Sequence, residues 1–196
     1  MTSHSQAEEN LKIIRSLMER GTLYRAISVP SALVIGLLSL GAGFIQAKAL
    51  IFNWNRSPLT SFVFLWILVF ILIGSFNFYW LIVRTRGETS HFSRIKKAII
   101  CMLPSGLAGA FFTWFSYHTG MLVEMISFWM IFYGLGLLST MVFAPRSVLF
   151  LGWSFLFSGF LSFILSESLL LYIPHIIALT FGLYHLVYAF FAWERK

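Results

Sequence analysis

The sequence predicts an all-α integral membrane protein: a bundle of six transmembrane helices preceded by an N-terminal amphipathic interfacial helix. Of its 196 residues, 59% are hydrophobic and 11% are charged, whereas soluble domains carry about 25% charged residues. The mean hydropathy is +0.84. Six apolar stretches each approach the roughly 20 residues that cross a bilayer core about 30 Å thick. This composition excludes a soluble globular domain, a disordered chain and a disulfide scaffold.

The chain divides into a cytoplasmic amphipathic helix with its linker (1–26), a transmembrane domain (27–193) and a cytoplasmic tail (194–196). The predicted spans are 28–46, 61–83, 98–117, 121–143, 147–166 and 168–192. The 46 residues from 147 to 192 are far too many for one span, so two spans are expected there. We place the break between them at Ser166-Glu167-Ser168.

The N-terminal segment has the pattern of an amphipathic helix over residues 5–20. Ser5 and Glu8 fit a capping box, in which each side chain bonds a backbone N–H at the helix start. Leu11, Ile14 and Met18 then recur at helical spacing. We expect this helix to lie on the cytoplasmic membrane surface, with docking of a partner as the functional alternative.

The distribution of basic residues predicts the orientation of the spans. With the N-terminus inside, 12 of the 14 Lys and Arg residues are cytoplasmic, and only Lys48 and Arg56 lie outside. Cytoplasmic loops are enriched in Lys and Arg, so both termini are expected inside. The net charge of +7 therefore reflects topology rather than nucleic-acid binding. The predicted loop 84–97 is a candidate contact for anionic lipid headgroups through Arg84, Arg86, Arg94, Lys96 and Lys97.

Polar side chains within membrane spans are costly, so each is a candidate site. His118, Glu124, Glu167 and His175 are all predicted near the outer ends of their helices. Two His and two Glu form a donor set suited to a divalent metal or a proton relay. The alternative is that they are wet interface residues or hydrogen-bond neighbouring helices. Because they come from separate segments, the sequence leaves both interpretations open.

Two further polar residues are secondary candidates: His185 in the last span and Asn77 in the second. His175 and His185 lie about 15 Å apart along one helix, too far to ligate one haem iron together. Asn77 is expected to hydrogen-bond a neighbouring helix. The sequence contains no nucleotide, nucleophile-elbow or zinc-protease motif. No cofactor is therefore indicated by a motif, and the single cysteine, Cys101, makes an intrachain disulfide impossible.

Small residues and prolines mark the expected helix contacts. The fifth span carries serines at strict four-residue spacing, and this pattern predicts a helix-packing seam formed by Ser154, Ser158, Ser162 and Ser166. Pro104 and Pro174 are expected to kink the third and sixth spans, because proline removes one backbone donor. A polar track for an ion or water is the functional alternative for the serines.

Several segments together resemble a family of small bacterial multipass inner-membrane proteins to which no activity is assigned. They are Arg15-Ser-Leu-Met-Glu-Arg20 with Tyr24-Arg25, Phe143-Ala-Pro-Arg-Ser147 with Leu151-Gly-Trp153, and Phe181-Gly-Leu-Tyr-His-Leu-Val-Tyr188. The resemblance implies a bacterial source and an inner-membrane location. It supplies no activity and no site residues.

Three classes of function are compatible with these features. The first is a non-enzymatic accessory or regulatory subunit of a membrane complex, with a membrane protein or a second copy of this chain as partner. It is favoured because almost no mass lies outside the bilayer. The second is a small transporter or channel with a site in the outer half of the bundle. The third is a membrane redox or metal-binding protein. This third class also includes a membrane enzyme, and it is the least expected of the three.

Overall fold

The computed structural model describes residues 6–14, 29–51, 58–85, 89–142, 144–165 and 172–193, and within these ranges the chain is helical and contains no strand. The predicted all-α class is therefore confirmed for this part of the chain. Helix α1 covers residues 6–14 and is exposed throughout, including Leu11 and Ile14. The remainder of the predicted helix 5–20, with its capping serine, lies outside the described residues.

The other helices are α2 (Val29–Ile51), α3 (Pro58–Thr85), α4 (Thr89–Thr119), α5 (Leu122–Leu138), α6 (Arg146–Ile164) and α7 (Ile173–Trp193). Helix α7 has three parts: an α-helical start (Ile173–Ile177), a π-helical segment (Ala178–Leu183) and an α-helical end (Tyr184–Trp193). By length and composition, five described helices are able to cross a membrane, namely α2, α3, α4, α6 and α7. Helix α5 is apolar but has only 17 residues, a length of about 25 Å.

Helices α5 and α6 pack backbone against backbone at three glycines. A Cβ added to Gly134 would lie 2.7 Å from the Gly152 carbonyl oxygen, and one added to Gly159 would lie 2.9 Å from the Ile131 nitrogen. Side chains at these positions would push the two helices apart. In membranes, where burying apolar surface does not by itself drive helices together, such close approach is a main source of association.

Helices α2 and α7 approach each other in the same way. A Cβ on Gly43 would lie 2.9 Å from the Pro174 carbonyl oxygen, and one on Gly36 would lie 3.1 Å from the Gly182 carbonyl oxygen. The buried core lies among α2, α5, α6 and α7, and Ala32, Met130, Val148 and Phe155 are each fully buried there.

The connections between helices follow local backbone chemistry. Gly120 has a φ of 76°, and the Met121 N–H donates to the Ser116 carbonyl at 3.0 Å. A residue with positive φ followed by this bond is a Schellman termination, for which glycine is preferred. It lets α4 reverse directly into α5. Pro145 is the N-cap of α6.

Several predicted boundaries differ from the structure. Helix α2 ends at Ile51 rather than 46, and α3 covers Pro58–Thr85 rather than 61–83. Helix α4 begins at Thr89 rather than 98, so part of the predicted loop 84–97 is helical, because charged residues extend a helix beyond its apolar span. Helix α5 ends at Leu138 rather than 143, where the Thr140 hydroxyl donates to the Leu137 carbonyl at 2.6 Å. The described start of α7 is Ile173, and Pro174 lies in its first turn, where a missing N–H costs no helical hydrogen bond.

Helices α3 and α4 are peripheral. Only 11% of the Thr60–Trp80 stretch and 6% of the Lys96–Thr119 stretch are buried, compared with 39–44% of the other three long helices. Helix α3 packs mainly on α2, and α4 packs mainly on α5. A cleft lies beside α3, and Thr113 of α4 forms part of its wall.

Candidate intramembrane site

A buried tyrosine–histidine pair joins α5 to α7 in the centre of the bundle. The Tyr133 hydroxyl lies 2.8 Å from Nε2 of His185, and Nδ1 of His185 lies 2.9 Å from the Phe181 carbonyl oxygen. Because a carbonyl only accepts, Nδ1 carries the proton, and the neutral ring then accepts the Tyr133 O–H at Nε2. His185 is 2% exposed. These two hydrogen bonds link Tyr133 of α5 to the backbone of α7 through the His185 ring.

Aromatic rings enclose this pair. Phe155 of α6 is fully buried, and its ring centroid lies 4.8 Å from that of Tyr133 and 5.6 Å from that of His185. Phe181 packs on the Tyr133 ring at 5.5 Å. Nearby, the hydroxyls of Ser158 and Tyr184 share a hydrogen bond of 2.8 Å between α6 and α7. Three helices are therefore fixed in register by polar contacts within an apolar core.

The π-helical segment of α7 supplies the acceptor for His185. Phe181 lies within Ala178–Leu183, and the α-helix resumes at Tyr184. A π-helical turn displaces the regular backbone hydrogen bonds, and such turns are frequent at functional sites. Here the histidine ring satisfies a carbonyl of that segment.

A lateral apolar cleft of about 420 Å³ lies beside this core. Helices α2, α3, α4, α5 and α7 all contribute to its walls, which include Ile35, Phe62, Trp66, Phe70, Met125 and Ile177. The volume falls within the roughly 300–1,000 Å³ of small-molecule sites. The indole N–H of Trp66 is buried here without a hydrogen-bond partner in the described part of the chain.

The cleft and the tyrosine–histidine pair share Phe181. Its ring centroid lies 6.2 Å from that of Trp66 on the cleft side and 5.5 Å from that of Tyr133 on the core side. On the opposite wall, the Trp129 indole N–H donates to the Thr113 hydroxyl at 2.7 Å and ties α5 to α4. A molecule or side chain in the cleft would therefore rest against residues that hold the core together.

Three of the four residues of the predicted polar cluster lie within the described ranges. His118 is exposed, and its Nδ1 lies 2.8 Å from the Trp114 carbonyl oxygen of its own helix. Glu124 is half-buried in the first turn of α5, and His175 is exposed. No group of three His, Cys, Asp or Glu residues suited to a metal is present within the described ranges. Glu167 lies outside them, so the four-residue cluster stays a prediction.

The two secondary candidates, Asn77 and His185, each hydrogen-bond a backbone carbonyl of their own helix. The Asn77 amide donates to the Ile73 carbonyl at 2.8 Å within α3, rather than to a neighbouring helix. His185 bonds one helix neighbour and Tyr133, so both ring nitrogens already have partners. A metal or haem iron would have to displace one of these bonds.

The predicted serine seam is divided between two kinds of contact. Ser162 lies 3.0 Å from the Ser127 hydroxyl of α5, and Ser158 bonds Tyr184 of α7. Ser154 instead donates to the Phe150 carbonyl of its own helix at 2.9 Å. Ser166 lies outside the described residues. Two of these serines thus join α6 to different neighbours.

The predicted headgroup contacts are only partly described. Lys96 and Lys97 are exposed on α4. The side chains of Arg84, Arg86 and Arg94 lie outside the described part of the structure. Their contact with lipid headgroups stays a prediction.

Tyr133 and Trp66 are the residues that sequence reasoning missed. Tyr133 is separated from His185 by 52 residues, and periodicity within a helix carries no information about that distance. Trp66 lies within the second predicted span, 61–83. Its unpaired N–H becomes visible only once the neighbouring helices are in place.

No protein-family model, curated protein or solved structure matches this chain.

Proposed function

We propose that this protein is a non-enzymatic accessory subunit of a membrane complex, and that a transmembrane helix of its partner docks between α3 and α4. The observation that carries the proposal is the small share of these two helices that the chain itself buries. Helices in membranes associate through close packing and interhelical hydrogen bonds. Helix α3 makes few such contacts within this chain, and α4 makes them mainly with α5, which leaves the rest of both helix surfaces for a second protein.

The surroundings of the glycines also support a docking surface on α3 and α4. Gly36, Gly43, Gly134, Gly152 and Gly159 each face a neighbouring helix at a distance that a Cβ would violate. Gly74 of α3 and Gly106 of α4 face open space instead, as does Gly41 of α2. Glycine within a helix costs about 1 kcal/mol relative to alanine. This cost is compensated at the first group by close packing, and at Gly74 and Gly106 we assign the compensation to a partner helix.

Gly106 belongs to a small-residue pair on the exposed side of α4. Ala110 follows it by four residues and is also exposed. A small-xxx-small spacing lets two transmembrane helices approach closely. In the adjacent cleft, the Trp66 N–H offers a hydrogen bond to a side chain or carbonyl of the partner.

We infer the orientation of the helices in the membrane from the positions of the basic residues. We place all six apolar helices across the bilayer, with α5 as a short span at the lower limit of about 17 residues. Twelve of the 14 Lys and Arg residues then fall on the cytoplasmic side together with both termini. Leu11 and Ile14 of α1 are exposed, which suits a helix on the membrane surface. The resemblance to bacterial multipass proteins supports an inner-membrane location.

The test is site-specific photo-crosslinking in the native membrane. A crosslinking side chain at Leu107 of α4 is expected to capture a partner protein, whereas one at Phe157 of α6 serves as a lipid-facing control. Both positions are exposed by more than 60%. Gly106→Leu is expected to reduce the captured partner at least tenfold. The matched variant Gly41→Leu, at another open glycine, is expected to leave it unchanged.

Three results would contradict the proposal. Capture of lipid alone at Leu107 would show that α4 faces the bilayer. Equal loss of partner in both glycine variants, with both still folded, would show that capture does not depend on the surface at Gly106. Crosslinking to a second copy of this chain alone would replace the accessory subunit by a homo-oligomer.

The other two classes of function have weaker support. A small transporter would need the predicted outer-half residues to converge, and His118 and His175 are instead exposed. A redox or metal-binding protein would need a ligating nitrogen with a free lone pair, and both nitrogens of His185 have partners. Both alternatives stay predictions.

A further inference from the structure

A second cavity, of about 510 Å³, lies between the first half of α6 and the second half of α7. Arg146 and Ser147, at the start of α6, form one end of the groove. Ser154, eight residues further along α6, and Tyr184 of α7 also line it. The walls between them are apolar and include Phe150, Leu151, Val187 and Phe191. This groove shares α7 with the cleft beside α3 but has no lining residue in common with it.

The Arg146 end of the groove has the chemistry of an anion site. The N-cap of α6 is Pro145, which makes no side-chain cap hydrogen bond. The backbone N–H groups of Arg146 and Ser147 therefore point outward without acceptors in their own helix, where the helix dipole favours a negative charge. The Arg146 side chain is exposed and adds a guanidinium with several donors.

Ser147 provides an independent indication of a ligand. Its Oγ is buried and has no hydrogen-bond partner among the described residues, and the residue lines the groove. A buried hydroxyl without a partner costs about 1–3 kcal/mol. A phosphate oxygen at the start of α6 would accept its proton.

The rest of the groove fits a hydrocarbon chain. From Arg146 to Ser154 it descends eight residues along α6, which corresponds to about 12 Å. Phe191, two residues before the end of α7 at Trp193, lines the groove. Trp193 is 64% exposed, and tryptophans concentrate at the membrane–water interface. The charged end therefore lies at headgroup level, and the apolar walls extend into the hydrocarbon layer.

We propose that this groove binds a phospholipid, with the phosphate on Arg146, Ser147 and the first N–H groups of α6, and one acyl chain between α6 and α7. The site is separate from the predicted headgroup contacts on 84–97. It also does not depend on partner docking at α3 and α4.

The experiment is native mass spectrometry of the full chain in a mild detergent. Phosphatidylglycerol is titrated as the probe, diacylglycerol tests the need for phosphate, and inorganic phosphate tests the need for the acyl chain. Arg146→Gln is expected to weaken phosphatidylglycerol binding about tenfold, since it removes charge-assisted hydrogen bonds. The matched control Lys97→Gln, which removes another exposed cation, is expected to leave binding unchanged.

A second variant tests the apolar part. Ser154 is exposed and bonds only its own helix at Phe150, so Ser154→Leu fills the deep end of the groove without breaking an interhelical bond. It is expected to weaken phosphatidylglycerol binding several-fold. Equal affinity for diacylglycerol and phosphatidylglycerol, or unchanged binding in Arg146→Gln, would overturn the proposal. Inorganic phosphate that binds as tightly as the lipid, and is unaffected by Ser154→Leu, would assign the site to a free anion and equally overturn it.

Discussion

Gly159→Ala is expected to weaken the packing of α5 against α6. The added Cβ would lie 2.7 Å from Cγ1 of Ile131, 2.9 Å from the Ile131 nitrogen and 3.0 Å from the Ser127 carbonyl oxygen. Ile131 can change its rotamer, but the two backbone atoms move only if the helices separate. Overpacking of this kind costs about 1–3 kcal/mol. The separation would also lengthen the Ser127–Ser162 contact, now 3.0 Å.

The assay is the free energy of unfolding in mixed micelles, titrated with a denaturing detergent and followed by tryptophan fluorescence. Gly106→Ala is the matched control, because no atom lies within 4 Å of the added Cβ. It is expected to be neutral or up to about 1 kcal/mol more stable, since alanine favours the helix. Equal stability of Gly159→Ala and wild type would refute the close approach of α5 and α6. A similar loss in both variants would refute the explanation by packing.

The two remaining predictions use the same assay. Tyr133→Phe is expected to lower the free energy of unfolding by about 1–3 kcal/mol, because Nε2 of His185 is left buried without its donor. If Tyr133→Phe lowers the free energy of unfolding as much in a His185→Leu background as in wild type, the pairing of Tyr133 with His185 is contradicted. Ser162→Ala is expected to cost only about 0.6 kcal/mol, the average for an interhelical bond in a membrane, since Ser127 keeps its bond to the Val123 carbonyl. A loss above about 2 kcal/mol would indicate contacts beyond that single bond.

Hydropathy predicts the apolar helices well because a span must be long and apolar whatever its neighbours are. It predicts their ends poorly. Residues 89–97 are helical despite their charge, because a helix that leaves the bilayer gains backbone hydrogen bonds without needing apolar side chains. Leu138 ends α5 five residues early because Ser139 and Thr140 bond preceding carbonyls and Pro145 then caps α6.

The site is less predictable than the helices. His185 stands out in the sequence as a polar residue within a span, but nothing in the sequence distinguishes Tyr133 from the other tyrosines. Their pairing depends on the rotation of α5 and α7 about their axes. That rotation is set by the glycine contacts and by the π-helical segment. Contacts between distant helices therefore need the packed structure.

Glycines and polar side chains have different surroundings in two parts of the bundle. Between α2 and α7 and between α5 and α6, glycines such as Gly43 and Gly134 face neighbouring backbones, and polar side chains pair across helices, as Tyr133 does with His185. On α3 and α4, Gly74 and Gly106 face open space, and the Trp66 N–H has no partner within the described ranges. Substitutions in the first part should therefore change stability in the isolated protein. Substitutions in the second should change assembly without changing stability, so the combination of Gly159→Ala and Gly106→Leu separates a scaffold from a docking surface.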